Sequence, residues 1–302
     1  RVVSASFRVI DETDDKLRFR EHLVLPAKIS ETKKGKSYFW RIKDLQSFDY
    51  EHFNYEKKDY APTVYIAPAA FEVEGHVGDM TSWQSFGKWI KLLNEERNNL
   101  EDEHFSELDE IITTAKSKEE KVKIVYDYLQ EHTRYVSIQL GLGGWQPFET
   151  AFVHENKYGD CKALSFYTKS LLERYDIESF YTLIRAGKYR GKIDADFSQS
   201  RFNHAILTVP FEQDTVFLEC TSQTNPFAYM GTFTGNRKAL LITENGGKLI
   251  DTKHYGIAEN QQNSYIVVKL AADGAAKVGI KRKYSGLEIE NYDFDHLYRA
   301  ET

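Results

Sequence analysis

Three side chains in this 302-residue sequence have the types and spacing for covalent chemistry: Cys161, His204 and Glu219. Cys161 lies in Lys157-Tyr158-Gly159-Asp160-Cys161-Lys162-Ala163. Gly159 permits a tight turn and Asp160 suits a helix N-cap. Cys161 then falls in the first helical turn, where the positive helix end favours a thiolate and Lys162 adds positive charge. The same residues also fit a small buried side chain opening a core helix.

His204 tips that balance. It lies 43 residues after Cys161, at the entry to the strand-like run His204-Ala205-Ile206-Leu207-Thr208-Val209. A helix–strand–strand return would bring it to the cysteine, and a general base needs only hydrogen-bond reach. The next run, Thr215 to Cys220, carries Glu219. A hairpin turning near Glu212-Gln213 sets Glu219 roughly opposite His204, where a carboxylate could orient the imidazole. An ordinary strand-end carboxylate is the plainer alternative. Cys220 faces the other way from Glu219 by strand alternation. That argues against a Cys161–Cys220 disulfide and against a zinc site of Cys161, His204 and Cys220, and for a packed, inert thiol.

The elements that must position these groups follow from periodicity. Val2–Ile10, Leu17–Leu25, Tyr38–Leu45 and Thr63–Val73 read as strands, with a turn at residues 11–15 and prolines as punctuation. The character changes near Gly75-His76-Val77-Gly78. A helix over Trp83–Arg97 would bury Phe86, Trp89, Ile90 and Leu93. A second begins at Ser117, which forms a capping-box pattern with Glu120, and buries Val122, Val125, Tyr126 and Leu129. The loop from Gly141 to Pro147 is too glycine-rich for regular structure, and a third helix runs from Cys161 to Arg174. Strands follow over Ser179–Arg185, His204–Val209 and Thr215–Cys220, with turns at Gly187 to Gly191 and Pro210 to Asp214. Helices first and a sheet afterwards predict an α+β unit. The change of pattern divides the chain into a β-rich segment 1–77, a core 78–255 and a further β segment 256–302, with strands over Tyr265–Leu270 and Lys277–Tyr284.

Composition removes several classes. With 41% hydrophobic and 28% charged residues the chain is globular rather than disordered. A formal net charge of -6 argues against nucleic-acid binding. The basic run Lys33-Lys34-Gly35-Lys36 reads as a solvated turn. No apolar stretch reaches the roughly 20 residues of a membrane helix, and no signal pattern stands at Arg1. Two cysteines are too few for a disulfide scaffold.

Taken together, Gly159-Asp160-Cys161, Asn203-His204 and Glu219-Cys220-Thr221 resemble the ordered motifs of the transglutaminase-like superfamily. Thr133 to Ile138, Gly143-Gly144-Trp145-Gln146-Pro147 and Tyr158 to Leu164 resemble one bacterial branch of it. The resemblance implies a papain-like core, with helices packed on an antiparallel sheet, after an N-terminal domain of unknown function and before a small β domain. It also implies a Cys161–His204–Glu219 triad, with glutamate where the superfamily usually has aspartate. Upstream side chains help bind the oxyanion in papain-like enzymes, which makes Trp145 and Gln146 candidates; loop packing is the plainer role for both. No calcium-loop pattern is present, and no cofactor is called for. The expected activity is acyl transfer on peptide-like amides, hydrolytic rather than cross-linking because no second-substrate site is evident. A noncatalytic papain-fold binding module is the main alternative, and a redox-sensing thiol at Cys161 the third. A periplasmic or envelope location is implied by the resemblance alone.

Overall fold

The computed structural model describes residues 1–13, 17–47, 61–187 and 193–291. The expected turn residues Asp14 and Asp15, residues 188–191 of the Gly187–Gly191 turn, and the tail 292–302 lie outside them.

The N-terminal strands form where alternation and proline punctuation placed them. β1 (Val2–Asp11) pairs antiparallel with β4 (Gly35–Leu45), and β4 also pairs with β3 (Lys28–Thr32). β3 was not anticipated; its residues alternate too weakly to declare a strand without the partner. Lys33 and Lys34 form the exposed turn between β3 and β4, so the basic run is the solvated turn expected. Gly35 is required there: at φ +130° a Cβ would stand 2.1 Å from the Asp11 carbonyl oxygen. β2 (Arg18–His22) pairs with β5 (Thr63–Ala67), and Phe19 packs its ring edge against Tyr38 and Trp40. The expected Thr63–Val73 strand is interrupted at Pro68, giving β5 and then β6 (Ala70–Val73), which pairs with β7 (His76–Asp79).

The helices follow their apolar stripes. α1 (Trp83–Asn94) is capped by Ser82 and buries Phe86, Trp89, Ile90 and Leu93, as its spacing predicts. Two short helices were missed, α2 (Ser106–Ile112) and, later in the chain, α4 (Thr150–Asn156); seven residues give too little periodicity to detect. Between them α3 (Lys118–His132) starts at Ser117, whose side chain accepts from the Glu120 N–H. The reciprocal bond of the expected capping box is displaced by one residue: Glu120 accepts from the Lys116 N–H instead. After β8 (Arg134–Tyr135) the glycine loop contains one 3-10 turn, Gly141–Gly144. β9 (Tyr158–Gly159) pairs in parallel with β8 and leads directly into α5 (Cys161–Glu173).

A five-stranded antiparallel sheet forms the centre, in the order β12–β11–β10–β13–β14. Its strands are β10 (Phe180–Ile184), β11 (His204–Pro210), β12 (Thr215–Leu218), β13 (Lys238–Thr243) and β14 (Gly246–Asp251). The last two were not expected from the sequence. On one face Ala205, Leu207 and Val209 of β11 meet residues of α5, α3 and α1 in two adjoining cores. On the other face Ile184, Ile206, Phe217 and Ala239 pack with Met230. A short helix, α6 (Gly231–Thr234), lies between β12 and β13 in the chain. Helices against a central antiparallel sheet make the protein α+β, as expected.

The chain continues into a hairpin of β15 (Gln261–Leu270) and β16 (Ala276–Ser285). One face aligns Ile266 with Ile280 and Val268 with Val278; the other aligns Lys269 with Lys277 and Tyr265 with Lys281. Both faces are exposed, unlike either face of the central sheet.

Candidate functional site

The site begins at the N-terminus of α5. Asp160 caps the helix, its Oδ1 accepting from the Ala163 N–H at 3.0 Å, and Cys161 is the first helical residue. The turn before it is fixed by the β8–β9 bridge, where the Val136 N–H donates to the Gly159 carbonyl at 2.9 Å. A Cβ on Gly159 would stand 2.8 Å from that of Ala163, so the chain passes too close to its own helix for a larger residue. Cys161 is 4% exposed, packed in the core that α1 and the sheet share.

His204 opens β11 and is aligned by its neighbour. Asn203 uses its side chain as a backbone would, accepting from the Ala186 N–H at 2.7 Å and donating to the Ala186 carbonyl at 3.2 Å. That bridge extends the β10–β11 pairing past Ile184 and fixes where His204 leaves the sheet. His204 Nε2 donates to both carboxylate oxygens of Glu219, at 3.0 and 2.9 Å. Nδ1 is left free by Glu219, and Cys161 lies close enough to help raise the imidazole's pKa.

Glu219 sits just past the end of β12. Leu207 pairs with Leu218, so the same register carried onward puts Ile206 opposite Glu219 and His204 opposite Thr221. The carboxylate therefore reaches the imidazole diagonally rather than directly across. Thr221 holds it from the other side: its N–H and Oγ1–H both donate to Oε1, at 3.2 and 2.5 Å. The Tyr126 hydroxyl donates to the Glu219 carbonyl at 3.1 Å, tying this segment to α3. Neither Thr221 nor Tyr126 stood out in the sequence as a support, because their roles exist only once the strands are registered.

Both partners of the ion pair are buried, their side chains 8% and 4% exposed. Burial alone would push the His204 pKa down. The Glu219 charge, the imidazole's hydrogen bonds to that carboxylate and the nearby Cys161 outweigh it and raise the value to about 10. Burial pushes the Glu219 carboxyl up, but His204 and the Thr221 donors hold it below the usual range. The pair is thus ionised at neutral pH. A side chain that sequence reasoning missed borders it: the Phe233 ring of α6 meets His204 edge-on, centroids 5.3 Å apart, and is 47% exposed.

Cys220 turns away from this group into the core of α3 and α5. Burial pushes its thiol up to about 12, and the neighbouring Thr168 and Ser165 hydroxyls offset this only in part. Both cysteines are free thiols. Trp145 packs edge-on against Phe86 and Trp89, in the same core as Cys161. Gln146 is tied elsewhere: its Nε2 donates to the Leu93 carbonyl at 3.0 Å and its Oε1 accepts from Arg97 at 2.9 Å. Lys162 also departs from the simple expectation. Its ammonium is buried and paired with Asp160 Oδ2. Among the described residues, no cluster of three or more His, Cys, Asp or Glu is placed to hold a metal ion, and no helix is long and apolar enough to cross a membrane.

No family model matches this chain, and no curated protein sequence does. Among solved structures, one described as a "putative protease" from Parabacteroides distasonis is similar with a TM-score of 0.55 and 15% identity, covering 90% of this chain and 51% of that one. This chain thus spans about half the length of that protein. Another, a "putative cysteine protease" from Cytophaga hutchinsonii, aligns over 94% of this chain and 86% of its own with a TM-score of 0.35 and 9% identity. At 15% identity, what this chain shares with the Parabacteroides protein is its fold.

Proposed function

We propose that this protein is a cysteine hydrolase of peptide-like amides, of the transglutaminase-like kind, with Cys161 as nucleophile, His204 as acid and base, and Glu219 as the group that orients and charges His204. The observation that carries this reading is the buried His204 imidazole, gripped through Nε2 by both oxygens of Glu219, with Cys161, the first residue of α5, near enough to add to its raised pKa. In the reaction, Cys161 sulfur bonds to the amide carbonyl carbon as the C–N bond breaks. The His204 proton passes to the leaving nitrogen. His204 then deprotonates a water, whose oxygen bonds to the carbonyl carbon as the C–S bond breaks and the cysteine returns. The backbone N–H of Cys161, in the first turn of α5, is one donor for the developing oxyanion.

Trp145 is the better placed of the two upstream candidates for a second donor, since its ring shares the Cys161 core. Gln146 fits a loop anchor, through Arg97 and Leu93. Gln146→Ala should lower turnover by roughly 100-fold if it is a donor; near-normal turnover would remove it from the oxyanion site. In this reading the core spans residues 78–255, flanked by β-rich segments 1–77 and 256–302, and the protein works in the bacterial envelope on peptides or proteins.

The test is iodoacetamide labelling of Cys161 against pH, by peptide mass mapping, in wild type and His204→Ala. Rapid labelling below pH 7 that the substitution abolishes is the expected result. An ordinary thiol profile, equal in both proteins, would sink the enzyme reading and leave a papain-fold binding module. Where labelling is rapid, peptide cleavage with and without an added primary amine separates hydrolysis from cross-linking.

A further inference from the structure

Asp160 presents an electrostatic problem that the triad does not solve. It caps α5, which fixes Cys161 at the first helical position. Serine, threonine or asparagine caps a helix as well, and without charge. Here the cap is a carboxylate, 2% exposed, one residue before the proposed nucleophile. A buried negative charge so close opposes any negative charge on sulfur, and burial leaves little solvent to screen it.

Lys162 stands on the other side of Cys161. It is 5% exposed, and lysine is almost never so buried unless paired. Its ammonium binds Asp160 Oδ2, while Oδ1 of the same carboxylate holds the Ala163 N–H. The two residues flanking the cysteine are thus locked to each other, with no net charge between them.

We infer that Lys162 is a positioning residue, whose task is to neutralise the Asp160 cap so that the start of α5 is rigidly held without a net negative charge beside Cys161. This rests on the cysteine-nucleophile reading above. The other charged or titratable groups facing the cysteine are His204 from β11, Glu219 behind it after β12, and Tyr181 from β10, which burial keeps neutral. None of them contacts the Asp160 carboxylate through a hydrogen bond, so the compensation falls to Lys162.

The experiment compares Cys161 alkylation by iodoacetamide across pH 5–9 in wild type, Lys162→Met, Asp160→Asn and the double variant, with melting followed by circular dichroism. Lys162→Met is expected to move the alkylation midpoint upward by roughly one pH unit, the lower end of what a single nearby charge does. The double variant keeps a neutral asparagine cap and is expected to bring the midpoint back to that of wild type. A purely structural pair would shift melting temperatures and leave the pH profile in place. An unmoved midpoint in Lys162→Met overturns the inference, and so does a double variant as displaced as the single one. If Lys162→Met does not fold, the double variant decides, since neutral replacement of a buried ion pair is commonly tolerated. A folded double variant with a displaced midpoint then counts against the idea. A wild-type profile indifferent to His204→Ala would instead sink the nucleophile reading itself, whatever Lys162 does.

Discussion

The β11–β12 and β15–β16 hairpins use the same antiparallel ladder and end in different situations. In the first, Leu207 and Leu218 face the helices while Ile206 and Phe217 face the opposite core, so both sides are covered. In the second, Ile266, Val268, Val278 and Ile280 align on one side and stay open to solvent, with lysines on the other. Hydrogen bonding between strands does not by itself make a rigid platform; burial on both faces does. Each face of β11 is held by side chains that cannot move without opening a cavity. Two of the candidate catalytic groups, His204 and Glu219, are attached to the hairpin that has this support, and Cys161 stands on a helix packed against it.

The contrast can be broken at several places. Cys161→Ala is expected to lower amide hydrolysis by roughly ten-thousand-fold or more, measured as kcat/KM on any cleaved peptide, with the melting curve little changed. Activity surviving that change would move the chemistry elsewhere. Leu164→Ala, at a fully buried position of α5, should cost about 2–5 kcal/mol in denaturant unfolding. The same change at Leu270, 77% exposed on the ribbon, should stay within about 0.5 kcal/mol. Equal costs at both sites would mean that something covers the ribbon in solution.

A pH series sharpens the same point. The folded pKa of His204 is raised to about 10, so its contribution to stability is complete below about 6.5 and disappears as pH rises through 10. The folded pKa of Glu219 is depressed, so its contribution is present above about 4.5 and is lost as pH falls below that. The melting temperature of wild type should therefore decline between pH 6.5 and 10, and Glu219→Gln should flatten that decline. An unchanged slope would show that the ion pair adds nothing to folding. The smallest effect is expected at Cys220, which should resist iodoacetamide in the native protein while Cys161 reacts. Labelling of both cysteines at the same rate would contradict the raised thiol pKa of Cys220.

Much of this arrangement was legible in the residues. The α1 and α3 stripes named their buried faces, and strand alternation pointed Cys220 away from Glu219. What escaped detection did so for physical reasons. Ala239-Leu240-Leu241-Ile242 is a continuous apolar run buried on both faces, and such a run has no alternation to distinguish strand from helix. The seven-residue helices α2 and α4 depend on tertiary contacts more than on their own pattern. At the site, Cys161, His204 and Glu219 could be named from order and type. The diagonal reach of Glu219, its double hold by Thr221 and the capture of Lys162 by Asp160 depend on register and burial, which sequence spacing does not determine.

One contact between α1 and β14 limits how the protein tolerates change. At Gly87 of α1 a Cβ would lie 2.0 Å from the Gly247 backbone nitrogen, and at Gly247 of β14 one would lie 2.2 Å from the Trp83 carbonyl oxygen. Helix and sheet touch there main chain to main chain, with no flexible side chain to give way. Even alanine would act as a wedge, lifting α1 from the sheet and loosening the core that also encloses Cys161. Gly87→Ala is therefore where a conditional allele should be sought: a protein that folds and works in the cold, and loses its function on modest warming.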